Sequence, residues 1–297
     1  MTEHEFLTAR RFEEQRPQLK AVAYRMLGSL AEAEDAVQET WLKLARSGSD
    51  DIGNLGGWLT TVVGRVCLDM LRSRWLRREE PLELRLPDPV VSREDTGDPE
   101  QQALIADSVG LALLVVLDAL NPAERLAFVL HDMFGMAFEE IAPIVDRTPA
   151  AARKLASRAR LRVRGAAPEP DPDPAAQRRV VDAFLVAARG GDLNALLAVL
   201  DPDVVLRADS GAALPGGLKV VRGATSVAGQ AATFRRMATL TTSRPVLVNG
   251  LAGLVNTADG DLVSVMSFTV SGNRIVAIDI LADPDRLARL DLPAEEL

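Results

Sequence analysis

The sequence predicts a multidomain chain with two all-α domains, the second a helix-turn-helix, followed by an α+β domain. Apolar residues recur at helical spacing through residues 4–78 and 101–165. The segment "EPDPDP" at 169–174 then interrupts the helices, because each proline disfavours helix at the residue before it. After residue 175 one more helix gives way to short Val- and Ile-rich runs separated by Gly, Asn or Asp, which is typical of antiparallel strands.

Composition favours a soluble cytoplasmic protein. The chain has 297 residues, 47% of them hydrophobic, and a formal net charge of −8. Its single cysteine, Cys67, excludes an internal disulfide and fits a reducing compartment. We expect no signal peptide, since the sequence opens "MTEHEFLTARR". We also expect no membrane span, since the longest apolar run, residues 111–117, is too short.

The first helical domain is predicted to contain three helices, and the second of these has two distinct faces. In "DAVQETWLKL", residues 35–44, an apolar stripe at i, i+4 and i+7 consists of Val37, Trp41 and Leu44. A second, contiguous face consists of Asp35, Gln38, Glu39 and Leu42. The first stripe is typical of a core contact, so the second face is available to a partner or to solvent.

The third helix, "GWLTTVVGRVCLDMLRSRWLRRE" at 57–79, combines a periodic polar face with a basic end. The face consists of Thr61, Arg65, Asp69 and Arg72, at i, i+4, i+8 and i+11. The basic end consists of Arg72, Arg74, Arg77 and Arg78. Trp58, at the start of the helix, either stacks on a ligand or anchors the helix in the core.

A helix-turn-helix is predicted in "FEEIAPIVDRTPAAARKLASRARLRVR". A helix over 137–145 is followed by a turn, with Thr148 as N-cap and Pro149 at the first position of the next helix. That helix points Ala152, Leu155 and Ala159 inward and leaves outward Arg153, Lys154, Ser157, Arg158 and Arg160. Residues 147–165 carry seven basic side chains and no acidic one, which favours DNA binding over a merely solvated basic helix.

Two proline-bearing segments separate the predicted domains. Residues 79–100 are acidic and contain prolines, as a linker does. We place the first helical domain at 1–80, the linker at 81–105, the second helical domain at 106–167, the hinge at 168–175 and the C-terminal domain at 176–297. Predicted strands of the last domain are "VVLRA", "RPVLVNG", "LAGLVNT", "LVSVMSFTV" and "RIVAIDIL".

With these motifs in view, residues 1–165 resemble an extracytoplasmic-function sigma factor, the bacterial subunit that brings RNA polymerase to a promoter. "EDAVQETWLKL" is similar to the family segment that docks on the clamp helices of the largest polymerase subunit, which implies polymerase contacts by Asp35, Gln38, Glu39 and Leu42. Residues 57–79 resemble the segment that melts and reads the −10 element, which implies DNA contacts by Trp58, Thr61, Arg65, Asp69, Arg72 and Arg74. The helix-turn-helix would read the −35 duplex through Thr148, Arg153, Lys154, Ser157, Arg158 and Arg160.

The C-terminal part resembles a SnoaL-like domain with a cystatin-type curved sheet, found in a sigma-factor subgroup that carries its regulator as an extension. Three family motifs have counterparts in "LRLPDPV" (84–90), "DSGAALPGGLK" (209–219) and "ADPDRLARL" (282–290). The middle motif departs from the family pattern because the family's lysine is replaced. Lys219, at the end of the motif, is the candidate to substitute for it. The resemblance implies regulatory roles for Leu86, Pro87, Asp88, Pro89, Asp209, Gly211, Asp283, Pro284, Asp285, Arg286 and Leu287.

Two other classes of function were weighed. An isomerase or cyclase fused to a DNA-binding module is disfavoured, because residues 176–297 contain no His, Cys, Tyr or Trp and would depend on carboxylates such as Asp209 or Asp279. With only His4, His131 and one cysteine in the chain, we expect no metal, cofactor or catalytic residue. A one-component helix-turn-helix regulator with a sensing domain is the alternative, but it needs neither a polymerase-docking face nor a single-strand-reading helix. The expected partners are core RNA polymerase, promoter DNA and, intramolecularly, the C-terminal domain, with no membrane.

Overall fold

The computed structural model describes residues 3–47, 52–76, 85–92, 110–211, 217–290 and 292. The chain divides into two compact units, each built from two stretches of sequence. The helical unit comprises Met1–Leu82 and Leu114–Ala166, and the sheet unit comprises Glu83–Leu113 and Ala167–Leu297. The two predicted helical domains therefore form one compact unit, and residues 85–92, which lie between them in sequence, belong to the sheet unit.

The three helices predicted for the first domain are present. They are α1 (Glu3–Leu27), α2 (Leu30–Ser47) and α3 (Leu55–Leu76). Gly28, with φ of +72°, ends α1 in the left-handed conformation that glycine adopts readily. The side chain of Asn54 accepts a hydrogen bond from the Gly57 N–H at 3.1 Å and so caps the start of α3.

The second domain contains α4 (Leu111–Asp118), α5 (Pro122–Phe128), a π-helical turn (Val129–Met133), α6 (Phe138–Ile141) and α7 (Pro149–Ala166). Thr148 caps α7 as predicted, because its hydroxyl accepts from the Ala151 N–H at 3.3 Å. The first helix of the motif is shorter than the predicted 137–145, since residues 142–146 form turns. Pro143 explains the early end, as it has no N–H to donate to the preceding turn.

The C-terminal sheet has seven strands among the described residues. They are β1 (Val91–Ser92), β2 (Leu200–Asp209), β3 (Leu218–Arg222), β4 (Thr242–Val248), β5 (Leu251–Ala258), β6 (Asp261–Ser271) and β7 (Arg274–Leu281), in the order β1-β4-β5-β6-β7-β2-β3. All five predicted strands are present, and two short ones, β1 and β3, were not predicted. The expectation of purely antiparallel strands is wrong for one pair, because β2 and β7 run parallel. The chain crosses over between them and returns through the β4–β7 meander.

The helices of the sheet unit are α8 (Pro174–Gly190), α9 (Leu193–Val199), α10 (Ala224–Ala228), α11 (Ala231–Leu240) and α12 (Pro284–Leu287). One face of the sheet forms an apolar core with α8, in which the Phe184 ring lies 5.4 Å from that of Phe268 and 5.5 Å from that of Phe234. Side chains alternate along strands, so the other face carries Arg207, Asp209, Ser267 and Asp279. The predicted fold class, helical domains followed by an α+β domain, is confirmed. No helix in the described part of the chain is long and apolar enough to cross a bilayer.

Candidate functional site

The two faces predicted for α2 are separated as expected. Val37 and Leu44 are buried, and the ring of Trp41 packs 5.0 Å from that of Phe12 on α1. On the other side the predicted polymerase-docking residues Asp35, Gln38 and Leu42 are exposed, and Glu39 is half-exposed with an ion pair to Lys43 at 3.2 Å. An exposed i, i+4 pair of this kind contributes little to stability. The docking face is therefore open to a partner at small cost to the fold.

Helix α3 places its predicted DNA-reading residues in different settings. Arg65, Asp69 and Arg72 are exposed, with Asp69 and Arg72 in an ion pair at 3.8 Å. Thr61 is half-buried, and its hydroxyl donates to the Gly57 carbonyl at 2.9 Å, as threonines within helices often do. The half-buried Trp58 lies one residue after that glycine, near the start of the helix.

The basic end of α3 has a structural role at one of its arginines. Arg74 donates to the Leu27 carbonyl at 3.3 Å and forms an ion pair with Glu32, so it fixes α3 against the ends of α1 and α2. Of the other arginines of this basic end, Arg72 is exposed, whereas Arg77 and Arg78 lie outside the described residues.

The helix-turn-helix exposes a compact set of polar residues on α7. Its inner face buries Ala152, Ala156 and Ala159, and Leu155 is partly buried, so the predicted orientation is correct. Arg153, Lys154, Ser157 and Arg158 are exposed. The guanidinium of Arg153 lies over the Phe138 ring at 5.2 Å, which limits the directions it can take.

Two arginines of α7 are held by carboxylates from neighbouring helices. Arg160 donates to Asp132 at 2.8 Å, and Arg162 donates at 2.8 Å to Glu124, whose side chain is only 8% exposed. These pairs fix α7 against α5 and the π-helical turn. His131 has a structural role, since its Nδ1 lies 3.0 Å from the Met136 carbonyl oxygen and its ring stacks on Phe138.

The predicted linker carries an edge strand of the C-terminal sheet. Residues Val91 and Ser92 form β1, which pairs antiparallel with Val248 and Leu247 of β4. Just before it, Asn249 receives the Val90 N–H on its side-chain oxygen at 3.0 Å and donates its own N–H to the Val90 carbonyl at 2.8 Å. Sequence reasoning missed Asn249, although Asn-Gly after a strand is a strong turn signal.

Next to β1, four residues that are distant in sequence form what we call the linker-binding cluster: Leu86, Asp88, Asp209 and Arg286. Asp209 is 1% exposed and accepts from the Leu86 N–H at 2.9 Å and from Arg286 Nη1 at 2.8 Å. Arg286 also donates to Asp88 at 3.0 Å through Nε and to the Leu86 carbonyl at 2.6 Å. One buried carboxylate and one guanidinium thus hold the backbone and side chain of the linker.

The other predicted regulatory residues support this cluster. Asp283 caps the short α12, accepting from the Asp285 N–H at 3.0 Å and the Arg286 N–H at 3.4 Å, and so sets the position of Arg286. Gly211 must be glycine, since its φ is +63° and an added Cβ would collide with the Asp283 carboxylate. Its N–H donates to Asp209 at 3.1 Å. Also buried around the cluster are Pro87, Pro89 and Leu287, while Pro284 is exposed at the first turn of α12.

The candidate lysine takes no part in these bonds. Lys219 on β3 donates to Gln230 at 3.1 Å. Arg286, from the terminal motif, supplies the cation that faces Asp209.

A second buried ion pair lies on the same face of the sheet. Asp279 on β7 faces Arg207 on β2 at 2.8 Å and is 1% exposed. Burial raises the pKa of Asp279, while the charge and hydrogen bond of Arg207 act in the opposite direction. Among the described residues, Asp279 Oδ2 and the buried Ser267 hydroxyl have no hydrogen-bond partner, although they sit on neighbouring strands in register.

Comparison with known families matches both helical segments. The sigma-70 region 2 model matches residues 11–77 and the sigma-70 region 4 model matches residues 110–163. These matches span most of α1–α3 and of the helix-turn-helix, so both helical segments are similar to DNA-contacting regions named for sigma-70, the class of RNA polymerase sigma factors.

Full-length relatives narrow the class. The chain is 42% identical over 217 residues to the ECF RNA polymerase sigma factor SigJ of Mycobacterium tuberculosis, covering 73% of this chain and 69% of SigJ. It is 33% identical to the probable ECF RNA polymerase sigma factor SigI of the same species, over 97% of both chains. The crystal structure of SigJ superposes with a TM-score of 0.77 at 34% identity, covering 96% of this chain and all of that one. The chain belongs to the family of ECF sigma factors and carries a C-terminal SnoaL-like domain.

Proposed function

We propose that this sigma factor binds the clamp helices of the largest polymerase subunit through Asp35, Gln38, Glu39 and Leu42. The supporting observation is the separation of faces on α2, whose opposite stripe is occupied by Phe12 and the core. Carboxylates beside an exposed leucine suit a basic partner surface with an apolar centre.

The two DNA-reading elements would divide the promoter between them. Helix α3 would contact the melted −10 strand through Trp58, Thr61, Arg65, Asp69, Arg72 and Arg74. Stacking and phosphate contacts suit unpaired bases, and the exposed arginines support this assignment. Helix α7 would read the −35 duplex with Arg153, Lys154, Ser157 and Arg158, and Thr148 and Arg160 would lie nearer the phosphates.

The C-terminal SnoaL-like domain would regulate the factor by holding the segment between its sigma domains. The observation that carries this proposal is the bridge of Arg286 between buried Asp209 and the linker at Leu86 and Asp88. Because linker and domain share one chain, their effective concentration is of the order of millimolar, so moderate contacts keep them bound. If the C-terminal domain releases residues 85–92, the linker becomes longer and the two sigma domains can move further apart. If it keeps them bound, that distance stays limited.

The SnoaL-like domain would act here without catalysis, in the cytoplasm. Its best-placed acids are already engaged, Asp209 by three donors and Asp279 by Arg207. A carboxylate whose oxygens already accept hydrogen bonds from the protein is poorly placed to transfer protons to a substrate.

Transcription in vitro with core polymerase tests the regulatory proposal. Asp88→Ala, Arg286→Ala and the double variant form a cycle within full-length protein. If the cluster regulates, each single variant changes promoter output, and the double variant changes it no more than Arg286→Ala alone, since Arg286→Ala already removes the pair with Asp88. Deleting residues 282–297 should give a comparable change. Unaltered output from all four proteins, with core binding intact, would show that the domain has another role.

A further inference from the structure

Helix α3 leaves an aromatic ring exposed near its C-terminal end. The side chain of Trp75 is 44% exposed, whereas the other two tryptophans, Trp41 and Trp58, are partly buried. Among the described residues, Phe6 on α1 is the other aromatic residue with comparable exposure. Tryptophan is usually well buried, because its large apolar ring gains free energy by leaving water. A tryptophan at the surface is therefore a candidate contact for a ligand.

Trp75 continues the face of α3 that is predicted to read the −10 strand. It follows Arg72 by three residues, so the two side chains are neighbours on the surface of the helix. Arg72, Asp69 and Arg65 lie along the same face and are exposed. The indole thus extends this face by one further turn, although the predicted set of residues ended at Arg74 and did not include it.

The charge of the helix around Trp75 indicates what kind of ligand suits it. Residues 55–64 have no charged side chain, whereas residues 65–78 contain five arginines and one aspartate. Proteins that bind single-stranded nucleic acid combine cations with aromatic rings, because the cations contact phosphates while bases stack on the rings. Arg72 and Trp75 offer that combination at neighbouring exposed positions.

The end of α3 that carries Trp75 is fixed to the rest of its domain. Arg74, the preceding residue, donates to the Leu27 carbonyl at 3.3 Å and forms an ion pair with Glu32. Leu71, one turn earlier, is 7% exposed and belongs to the core. The backbone under the indole is therefore held in place before any ligand arrives. Stacking would order the ligand but little of the protein, which favours binding.

We propose that Trp75 stacks on an unpaired base of the melted promoter strand, with Arg72 on the adjoining phosphate. The proposal rests on the assignment of α3 to the −10 element. Every base has a flat π surface, so this contact is tolerant of sequence. Trp75 lengthens the lifetime of the open complex, in which the −10 element is melted. Preference for particular bases remains with polar residues of the same face, such as Arg65.

The first test pairs a protein variant with a DNA variant. Core polymerase is combined with full-length wild type, Trp75→Leu or Trp75→Phe, and an abasic site is placed at each position of the melted strand in turn. With wild type, the abasic site at the stacked position should shorten the lifetime of the open complex roughly tenfold. Trp75→Leu should shorten it similarly on intact DNA, and that abasic site should then have no further effect, since both changes remove one contact. Trp75→Phe, which keeps a smaller ring, should lie between the two.

A spectroscopic measurement covers the case in which Trp75→Leu does not fold, which its melting temperature reveals. The fluorescent base 2-aminopurine is dim when stacked and bright when unstacked. At the position found by the abasic scan it should stay dim in the wild-type open complex and become brighter with Trp75→Phe. Equal brightness with wild type and Trp75→Phe at every melted position would overturn the proposal.

The matched control is Phe6→Leu, which removes the other exposed aromatic ring and should leave the lifetime unchanged. Additive effects of Trp75→Leu and every abasic site would overturn the proposal, and so would weaker binding of Trp75→Leu to core polymerase in the absence of DNA. Arg65→Ala separates this proposal from the assignment on which it rests. If Arg65→Ala shortens the lifetime and Trp75→Leu does not, α3 reads the strand without Trp75. If neither variant shortens it, the assignment of α3 fails as well.

Discussion

In the helical unit most of the residues predicted to meet polymerase and DNA are exposed, whereas in the sheet unit several of the residues predicted to regulate are buried against one another. Asp35, Gln38 and Arg158 are exposed, while Asp209 is 1% and Asp283 8% exposed. An exposed charge has water as its partner until an external surface replaces it. A buried charge must find its partner within the fold. Substitutions in the two units should therefore differ in kind.

The largest effect is expected from Arg286→Ala in the sheet unit. Asp209 would stay buried without its cation, so the free energy of unfolding of that unit should fall by about 3–5 kcal/mol. Thermal unfolding and hydrogen exchange at the β2 and β7 amides measure the loss. The matched control is Arg289→Ala, an exposed arginine three residues away. Similar stability of the two variants would contradict the role of the linker-binding cluster.

Charge reversal on α2 should leave stability almost unchanged and weaken polymerase binding. In Asp35→Arg with Glu39→Arg the melting temperature should barely change, while affinity for core polymerase should fall by about 2 kcal/mol or more, since like charges would meet. The control, Asp182→Arg with Asp203→Arg, changes net charge equally at exposed positions of the sheet unit. Undiminished core binding in a pull-down with the α2 variant would refute the docking face.

Two arginines of α7 should affect DNA binding in different ways, because one is exposed and the other is held by an ion pair. Arg158→Ala should weaken binding to the −35 duplex by about 1–3 kcal/mol and relax specificity at one position, if Arg158 contacts a base edge. Arg160→Ala, which breaks the pair with Asp132, should instead weaken binding to all duplexes alike and reduce the salt dependence. Fluorescence anisotropy with matched and mismatched duplexes measures both, and identical profiles would remove the distinction.

The smallest effect concerns pH. Because burial raises the folded-state pKa of Asp279, the native state takes up a proton before the unfolded state does as pH falls. Wild type should therefore gain stability relative to Asp279→Asn as pH drops from neutral towards the ordinary aspartate value of 3.8, and lose that gain as pH rises. Urea denaturation at several pH values measures the difference. A difference independent of pH would show that Asp279 stays ionised.

Much of the candidate site could be predicted because its signals are local. The two faces of α2, the cap at Thr148 and the inward alanines of α7 follow from helical spacing within a few residues. Resemblance supplied the regulatory set. Sequence reasoning missed Asn249, Arg125 and Gly64, whose roles depend on groups more than 60 residues away.

The sequence by itself determined the longer helices and five of the seven described strands, because side-chain periodicity and caps act over one or two turns. It could not show that residues 85–90 are held by Asp209 and Arg286 and lead into β1 rather than forming a free linker, since Leu86 and Asp209 are 123 residues apart. Nor could it show that β2 and β7 run parallel, or that Gly64 packs against Leu126. Only the tertiary structure shows these features, because the effect of a buried charge or of a glycine depends on the groups that folding places next to it.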